Sequence, residues 1–269
     1  MSVFVEGLLA GRTAFVAGGS TGINLAIAQR FAQQGANVAI ISRRHEKVAE
    51  AVETITAAGG VAWGASVDVR DFAAVAASLA DTRERFGEID AVVSGAAGNF
   101  VAPALAMSAN AFKTVVDIDL LGTFNVFRAS FDHLRKPGAS LIAITAGQGS
   151  HPTMFQAHAC AAKAGVNMLT RCLAMEWGPA GVRVNAISPG PIAETEGMAR
   201  LAASPEAEAA LKGRIPLRDY GAKRDIADMA LYLASDAAGY ITGAILDVDG
   251  GSSLGDATSD ALTVRPRPA

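Results

Sequence analysis

The sequence predicts an α/β protein built on one mostly parallel, doubly wound sheet with helices on both faces. Three observations predict it. Short β-branched runs alternate with longer alanine-rich segments of helical period. The apolar runs show little polar alternation, as strands covered on both faces do. The first of them leads directly into a glycine-rich turn and then an amphipathic helix.

The elements follow in order. "TAFVAGG" (13–19) reads as a strand, and "GINLAIAQRFAQQG" (22–35) as a helix with Ile23, Ile27, Ala28 and Phe31 on one face and Gly35 at its end. "NVAIISR" (37–43) is the next strand, followed by a helix through Ala58. Further strands are expected at 61–69, 89–95, 139–145, 182–188 and 244–251, and right-handed crossovers would make their pairing parallel. No linker or solenoid-length repeat interrupts the pattern. A single domain is therefore expected over 1–255, with the polar, proline-punctuated 256–269 as a C-terminal surface extension.

Composition narrows the function classes. With 51% apolar residues and a mean hydropathy of +0.28, the 269-residue chain can fill a core. No apolar run approaches the roughly 20 residues of a membrane span, and "MSVFVEGLLAGR" lacks the features of a signal peptide, so a cytoplasmic location is expected. A net charge of -3 argues against nucleic acid as a partner. Cys160 and Cys172 are expected to be buried thiols, and no His/Cys/Asp cluster has metal-ligand spacing.

The first turn, "AGGSTGIN", has a specific physical use. Gly18 and Gly22 allow the backbone to turn sharply and approach a pyrophosphate, which the free N–H groups and dipole of the following helix stabilise. Taken alone a Gly-x-x-x-Gly could be a plain turn; between a first strand and a helix it is the phosphate loop of a Rossmann-like dinucleotide site. Gly18, Ser20, Thr21, Gly22 and Ile23 are its candidate contacts. The second strand ends "IISRRHEK", with Ser42, Arg43 and Arg44 where an NAD site would carry an acid. Two guanidiniums favour the 2'-phosphate of NADP(H), unless they are solvated charges entering the next helix.

Over about residues 8–255 the chain resembles the short-chain dehydrogenase/reductase family. The features that carry the likeness are "AGGSTGIN", Asp68 and Val69 for the adenine contact, "SGAAG" (94–98, with Ala96, Ala97 and Gly98), Lys163, and "SPGPI" (188–192, with Pro189, Gly190 and Ile192). Ala17 and Asn24 stand where the family has Thr and a third Gly, which leads one to expect looser helix packing at the loop. In the family an Asn, Ser, Tyr and Lys perform the chemistry. At those positions this chain has Asp119, Ala146, Ala159 and Lys163. Neither alanine can move a proton, so tyrosine-based carbonyl reduction is not expected.

A narrower likeness accounts for this. "AAGNF", "NAFKTVVDIDLLGTFNV", "AMEWGP", "RVNAISPGPIAETEG" and "YITGAILDVDGG" resemble the 2,4-dienoyl-CoA reductases, peroxisomal branch, which also lack the tyrosine. The branch commonly has Gly and Ser just before the lysine, where this chain has Cys160 and Ala161. The resemblance implies NADPH-dependent reduction of an acyl-CoA substrate by a homotetramer, with Asp119 and Lys163 catalytic. In that reaction hydride adds to C5 of the conjugated thioester, and the electrons come to rest as a dienolate on the thioester oxygen. That oxygen needs preorganised donors rather than an acid, and the proton ends on carbon, from a water held by the Asp/Lys pair.

Asn99, Phe100, Gln148 and Phe155 are the substrate-side candidates: Asn99 and Phe100 as entrance lining, Gln148 as a donor to the thioester oxygen or a solvated turn residue. His158 is either a substitute acid or a structural histidine. Residues 193–220 are expected to form two short helices whose Arg200, Lys212 and Arg214 meet the phosphates of CoA, or a solvated insert. Two other functions stay open at this point: a catalytically silent NADP(H)-binding sensor or scaffold, and a 3-oxoacyl or carbonyl reductase.

Overall fold

The computed structural model describes residues 3–195, 198 and 204–259. Each apolar run becomes a strand, within its expected limits except that β6 extends one residue further, to Pro189: β1 Thr13–Ala17, β2 Asn37–Ser42, β3 Val61–Ser66, β4 Ala91–Ser94, β5 Ser140–Ile144, β6 Arg183–Pro189 and β7 Ile245–Val248. They form one sheet in the order β3-β2-β1-β4-β5-β6-β7, every neighbouring pair parallel. β1 and β4 are buried at every residue, while the edge strands β3 and β7 are not. The strand order reverses between β1 and β4, and a crevice opens there beyond their carboxyl ends.

Helices cover both faces. They are α1 Gly22–Gln33, α2 His45–Ala57, α3 Phe72–Phe86, α4 Ala109–Val116, α5 Gly122–Ser130, α6 Ala157–Trp177, α7 Pro205–Arg214 and α8 Lys223–Ala234. One apolar core joins α1, α2 and α8 to the sheet through Ile27, Phe31, Ile55, Ile226 and Leu231; the other joins α3, α5 and α6 through Leu79, Phe127, Val166 and Leu173. Local chemistry starts several helices: Asp71, Ser108 and Ser204 each accept a hydrogen bond from a first-turn N–H. Arg30 pairs with Asp228 at 2.6 Å and ties α1 to α8. Between α4 and α5, Asp117–Leu121 takes a π-helical turn, a local widening that often accompanies functional sites.

One expectation is corrected. Cys160 is partly exposed and Cys172 exposed, because both lie off the buried stripe of α6 that runs through Ala159, Lys163, Val166 and Thr170. Of the two helices expected within 193–220, α7 is described; Arg200 lies outside the described residues. Lys212 pairs with Glu208 and Asp219 at 3.0 and 2.9 Å, and Arg214 with Asp256 at 3.1 Å. Ala257 N also donates to the Arg214 carbonyl, which seats the start of the 256–269 segment against α7; residues 260–269 lie outside the described residues.

Candidate active site

The glycine turn after β1 shapes the crevice. Gly18 has φ +78°, and a Cβ there would stand 2.7 Å from Ala96 N, so a side chain is excluded both by the backbone conformation and by the loop after β4. Gly22 opens α1 with φ +61°. Thr21 caps α1 with no side-chain hydrogen bond and no acid stands in the first turn, which leaves the helix N-terminus available to an anion. A cleft of about 650 Å³ results, lined by Gly18, Ser20, Thr21, Ser42, Arg43, Arg44, Asp68, Val69, Ala96 and Ala97 among the expected residues. Asn24, Val67, Gly95 and Ile118 also line it and were not foreseen. Gly22, Ile23, Gly98, Lys163, Pro189, Gly190 and Ile192 do not line this cleft.

Asn24 reverses the expectation of loose packing. Its Nδ2 donates to the Gly95 carbonyl at 2.8 Å, and a Cβ on Gly95 would lie 2.2 Å from Asn24 Oδ1. The side chain thus occupies the space that Gly95 leaves and ties α1 to the end of β4. Arg43 and Arg44 are exposed, and neither forms an ion pair with a described residue. Asp68 is engaged by a residue that sequence reasoning missed. Arg70 donates to it from Nε, NH2 and the backbone N. That side-chain hydrogen bond, acting against partial burial, holds the Asp68 carboxyl below the ordinary aspartate range.

Asp119 and Lys163 meet directly. The π turn carries Asp119 inward until it is 2% exposed; its Oδ1 accepts from Gly98 N at 2.7 Å and its Oδ2 lies 3.1 Å from Lys163 Nζ. Lys163, 8% exposed on α6, donates also to the Ile144 carbonyl at the end of β5, 3.0 Å away. Thr123 Oγ1 closes the turn by donating to the Asp119 carbonyl at 2.7 Å. Both charges are therefore paired and hydrogen-bonded, the condition under which buried charges persist. Two of the three ammonium hydrogens are committed and one remains. Ala159 is 4% exposed, so packing has closed over the position of the absent tyrosine.

A second cavity of about 450 Å³ lies between the turn after β5, the β6 exit and α7. Gln148, Pro189 and Gly190 line it, together with apolar atoms of Pro191, Leu211 and Ile215. Ile192 is 3% exposed and its side chain belongs to the core instead, because the chain bridges to Gly221 there. Asn99 and Gln148 both donate to Gln156, a residue not singled out in the sequence. Phe155 is 47% exposed, with φ +63°. Phe100 packs on His158 with ring centroids 4.2 Å apart. His158 is fully buried with neither ring nitrogen hydrogen-bonded, so it is closed off beneath Phe100 and does not stand in for the missing acid.

The comparisons agree with this architecture. The family described as enoyl-(acyl carrier protein) reductase matches residues 17–253. A Rattus norvegicus protein named peroxisomal 2,4-dienoyl-CoA reductase [(3E)-enoyl-CoA-producing] is 45% identical over 253 residues, covering 93% of this chain and 86% of that protein. A Saccharomyces cerevisiae protein of the same name is 43% identical over 248 residues, covering 91% and 85%. Among solved structures, the citronellol catabolism dehydrogenase of Pseudomonas aeruginosa PAO1 superposes with a TM-score of 0.82 at 32% identity, covering 94% of this chain and 99% of that one. The phosphate-loop geometry, the strand order and these matches together establish that the chain belongs to the short-chain dehydrogenase/reductase family of oxidoreductases.

Proposed function

We propose that the protein uses NADPH to reduce the conjugated diene of a 2,4-dienoyl-CoA in the degradation of unsaturated fatty acids. The observation that carries this reading is the buried Asp119–Lys163 pair, 3.1 Å apart, in a site with alanine at the tyrosine and serine positions. Hydride addition to a ketone creates an alkoxide that an acid must protonate at once. Addition to a dienoyl thioester spreads the charge over a conjugated system, and donors suffice. The relatives named as 2,4-dienoyl-CoA reductases support the same choice.

The residues present fit the cofactor: the cradle at Gly18 admits no Cβ, and the cleft has two exposed guanidiniums at the end of β2. Bound NADPH would supply a hydride to C5 of the diene. The N–H groups of the loop from Gly18 through Ser20, Thr21, Gly22 and Ile23 would hold the pyrophosphate, and Arg43 and Arg44, beside Ser42, the 2'-phosphate. Asp68 and Val69 would face the adenine. Ala96, Ala97 and Gly98, with Pro189, Gly190 and Ile192, would flank the nicotinamide half. Lys163 would give its remaining hydrogen to the ribose or to the protonating water, and Asp119 would hold that ammonium in place.

On the substrate side, Gln148 and Asn99 would donate to the thioester oxygen, and Phe100 and Phe155 would flank the diene. Protonation of the dienolate at its α-carbon leaves the double bond at C3, the product class in the relatives' name. A homotetramer would use the outward faces of α4, α5 and α6, where Phe112, Phe124, Met168 and Met175 are exposed. Action in the cytoplasm belongs to the same proposal.

The test is NADPH oxidation by the purified protein with a dienoyl-CoA, with a 3-ketoacyl-CoA and with neither. Turnover restricted to the dienoyl-CoA is expected. Turnover of the 3-ketoacyl-CoA instead would favour a carbonyl reductase, and cofactor binding without turnover a sensor or scaffold. Near-normal rates in both Asp119→Asn and Lys163→Ala would remove the pair from the chemistry.

A further inference from the structure

Three side-chain amides meet between the loop after β4 and the start of α6. The Gln156 Oε1 accepts from Asn99 Nδ2 at 2.9 Å and from Gln148 Nε2 at 3.2 Å. One carbonyl oxygen receiving two amide donors has a directional consequence. While Gln156 presents its oxygen, an Asn99 or Gln148 amide turned over would set its own oxygen against it, acceptor against acceptor. Each NH2 group therefore commits one hydrogen to Gln156 and keeps the other. The main chain of Gln156 is fixed where the side chain departs: its N–H donates to the Thr153 carbonyl at 3.2 Å, and its carbonyl accepts from Cys160 N at 2.9 Å in the first turn of α6.

The neighbouring backbone is fixed in the same direction. Phe155 has φ +63°, a conformation that costs a bulky residue energy and persists where the surroundings enforce it. Its carbonyl accepts from Ala102 N at 3.0 Å, so the 99–102 loop is tied to the 155–156 segment through the main chain as well as through Asn99. Strain and hydrogen bonds together hold Gln156 where both amides can reach it.

We propose that Gln156 is a positioning residue, whose side-chain oxygen locks Asn99 and Gln148 in the amide orientation that presents a donor, rather than a lone pair, to the thioester oxygen. The proposal rests on the reading that these two amides face the dienoyl thioester. A developing dienolate gains from an N–H and is repelled by an amide oxygen, so the lock acts on kcat more than on cofactor binding.

The experiment compares Gln156→Leu with the unmodified chain, using a dienoyl-CoA and NADPH. Gln156→Ala serves as a second variant without added apolar bulk. The expected result is a fall in kcat of about tenfold or more, against the roughly 10²- to 10³-fold for outright loss of an oxyanion donor, with the Kd for NADPH unchanged. A double-mutant cycle separates positioning from structure. In an Asn99→Ala, Gln148→Ala background, Gln156→Ala should cost nothing further in kcat, because no amide remains to orient. An equal loss in both backgrounds, or undiminished kcat in the single variants, overturns the positioning role while leaving the proposed reaction standing. Absence of dienoyl-CoA turnover by the unmodified chain overturns both.

Discussion

Asp119→Asn tests the buried pair most directly, because the exchange keeps shape and removes charge. With Asp119 2% and Lys163 8% exposed, the substitution leaves an ammonium inside the fold with the Ile144 carbonyl and a neutral amide for company. Removing one partner of a buried pair costs about 3–5 kcal/mol. At roughly 2 °C per kcal/mol for a domain of this size, Tm should fall by about 6–10 °C. Lys163→Met exposes the opposite imbalance, softened because Asp119 retains the Gly98 N–H at 2.7 Å. The double variant removes both charges and should be more stable than the sum of the singles implies, by about 2 kcal/mol. Calorimetry of all four proteins at one concentration and neutral pH measures the coupling. Additive losses, or a shift below about 2 °C for Asp119→Asn, would refute a direct, desolvated pair.

Three further outcomes are expected. Gly18→Ala places a Cβ 2.7 Å from Ala96 N at a residue with φ +78°, so NADPH affinity measured by fluorescence should fall at least tenfold, whereas Gly22→Ala, where a Cβ meets nothing within 4 Å, should cost about 1–2 kcal/mol of backbone strain. Arg43→Ala with Arg44→Ala should raise the Kd for NADPH by about a hundredfold, one charge-assisted contact apiece, and leave that for NADH nearly unchanged. Asp249→Asn should lower stability by about 1–2 kcal/mol at neutral pH. Burial works to raise the Asp249 pKa, but hydrogen bonds from Ser253, Gly251 and Ser252 outweigh it and hold it below the ordinary value. A carboxyl so depressed contributes stability that is complete above about pH 4 and is lost as pH falls through the folded-state pKa; denaturant titrations should therefore show the two proteins converging in acid.

What the sequence alone determined here is local in origin. The strand and helix succession follows from hydrophobic period, and the turn at Gly18 and Gly22 from backbone freedom. The resemblance picked out Asp119 and Lys163 as a pair sharing a water, without saying that they bond directly. Tertiary structure decided that they touch, because the π turn at Asp117–Leu121 rotates the carboxylate toward α6. It also decided that Asn24 fills the space left by Gly95, that Arg70 engages Asp68, that Cys172 faces outward and that Gln156 gathers two amides. Asn24 was visible as a polar residue in place of glycine, and Arg70 as a cation two places from an acid; Gln156 carried no local signal at all. Periodicity and turn chemistry are properties of neighbours along the chain. Hydrogen bonds between distant segments depend on which helix crosses which strand, at what depth and rotation, and those are set by packing the whole core at once.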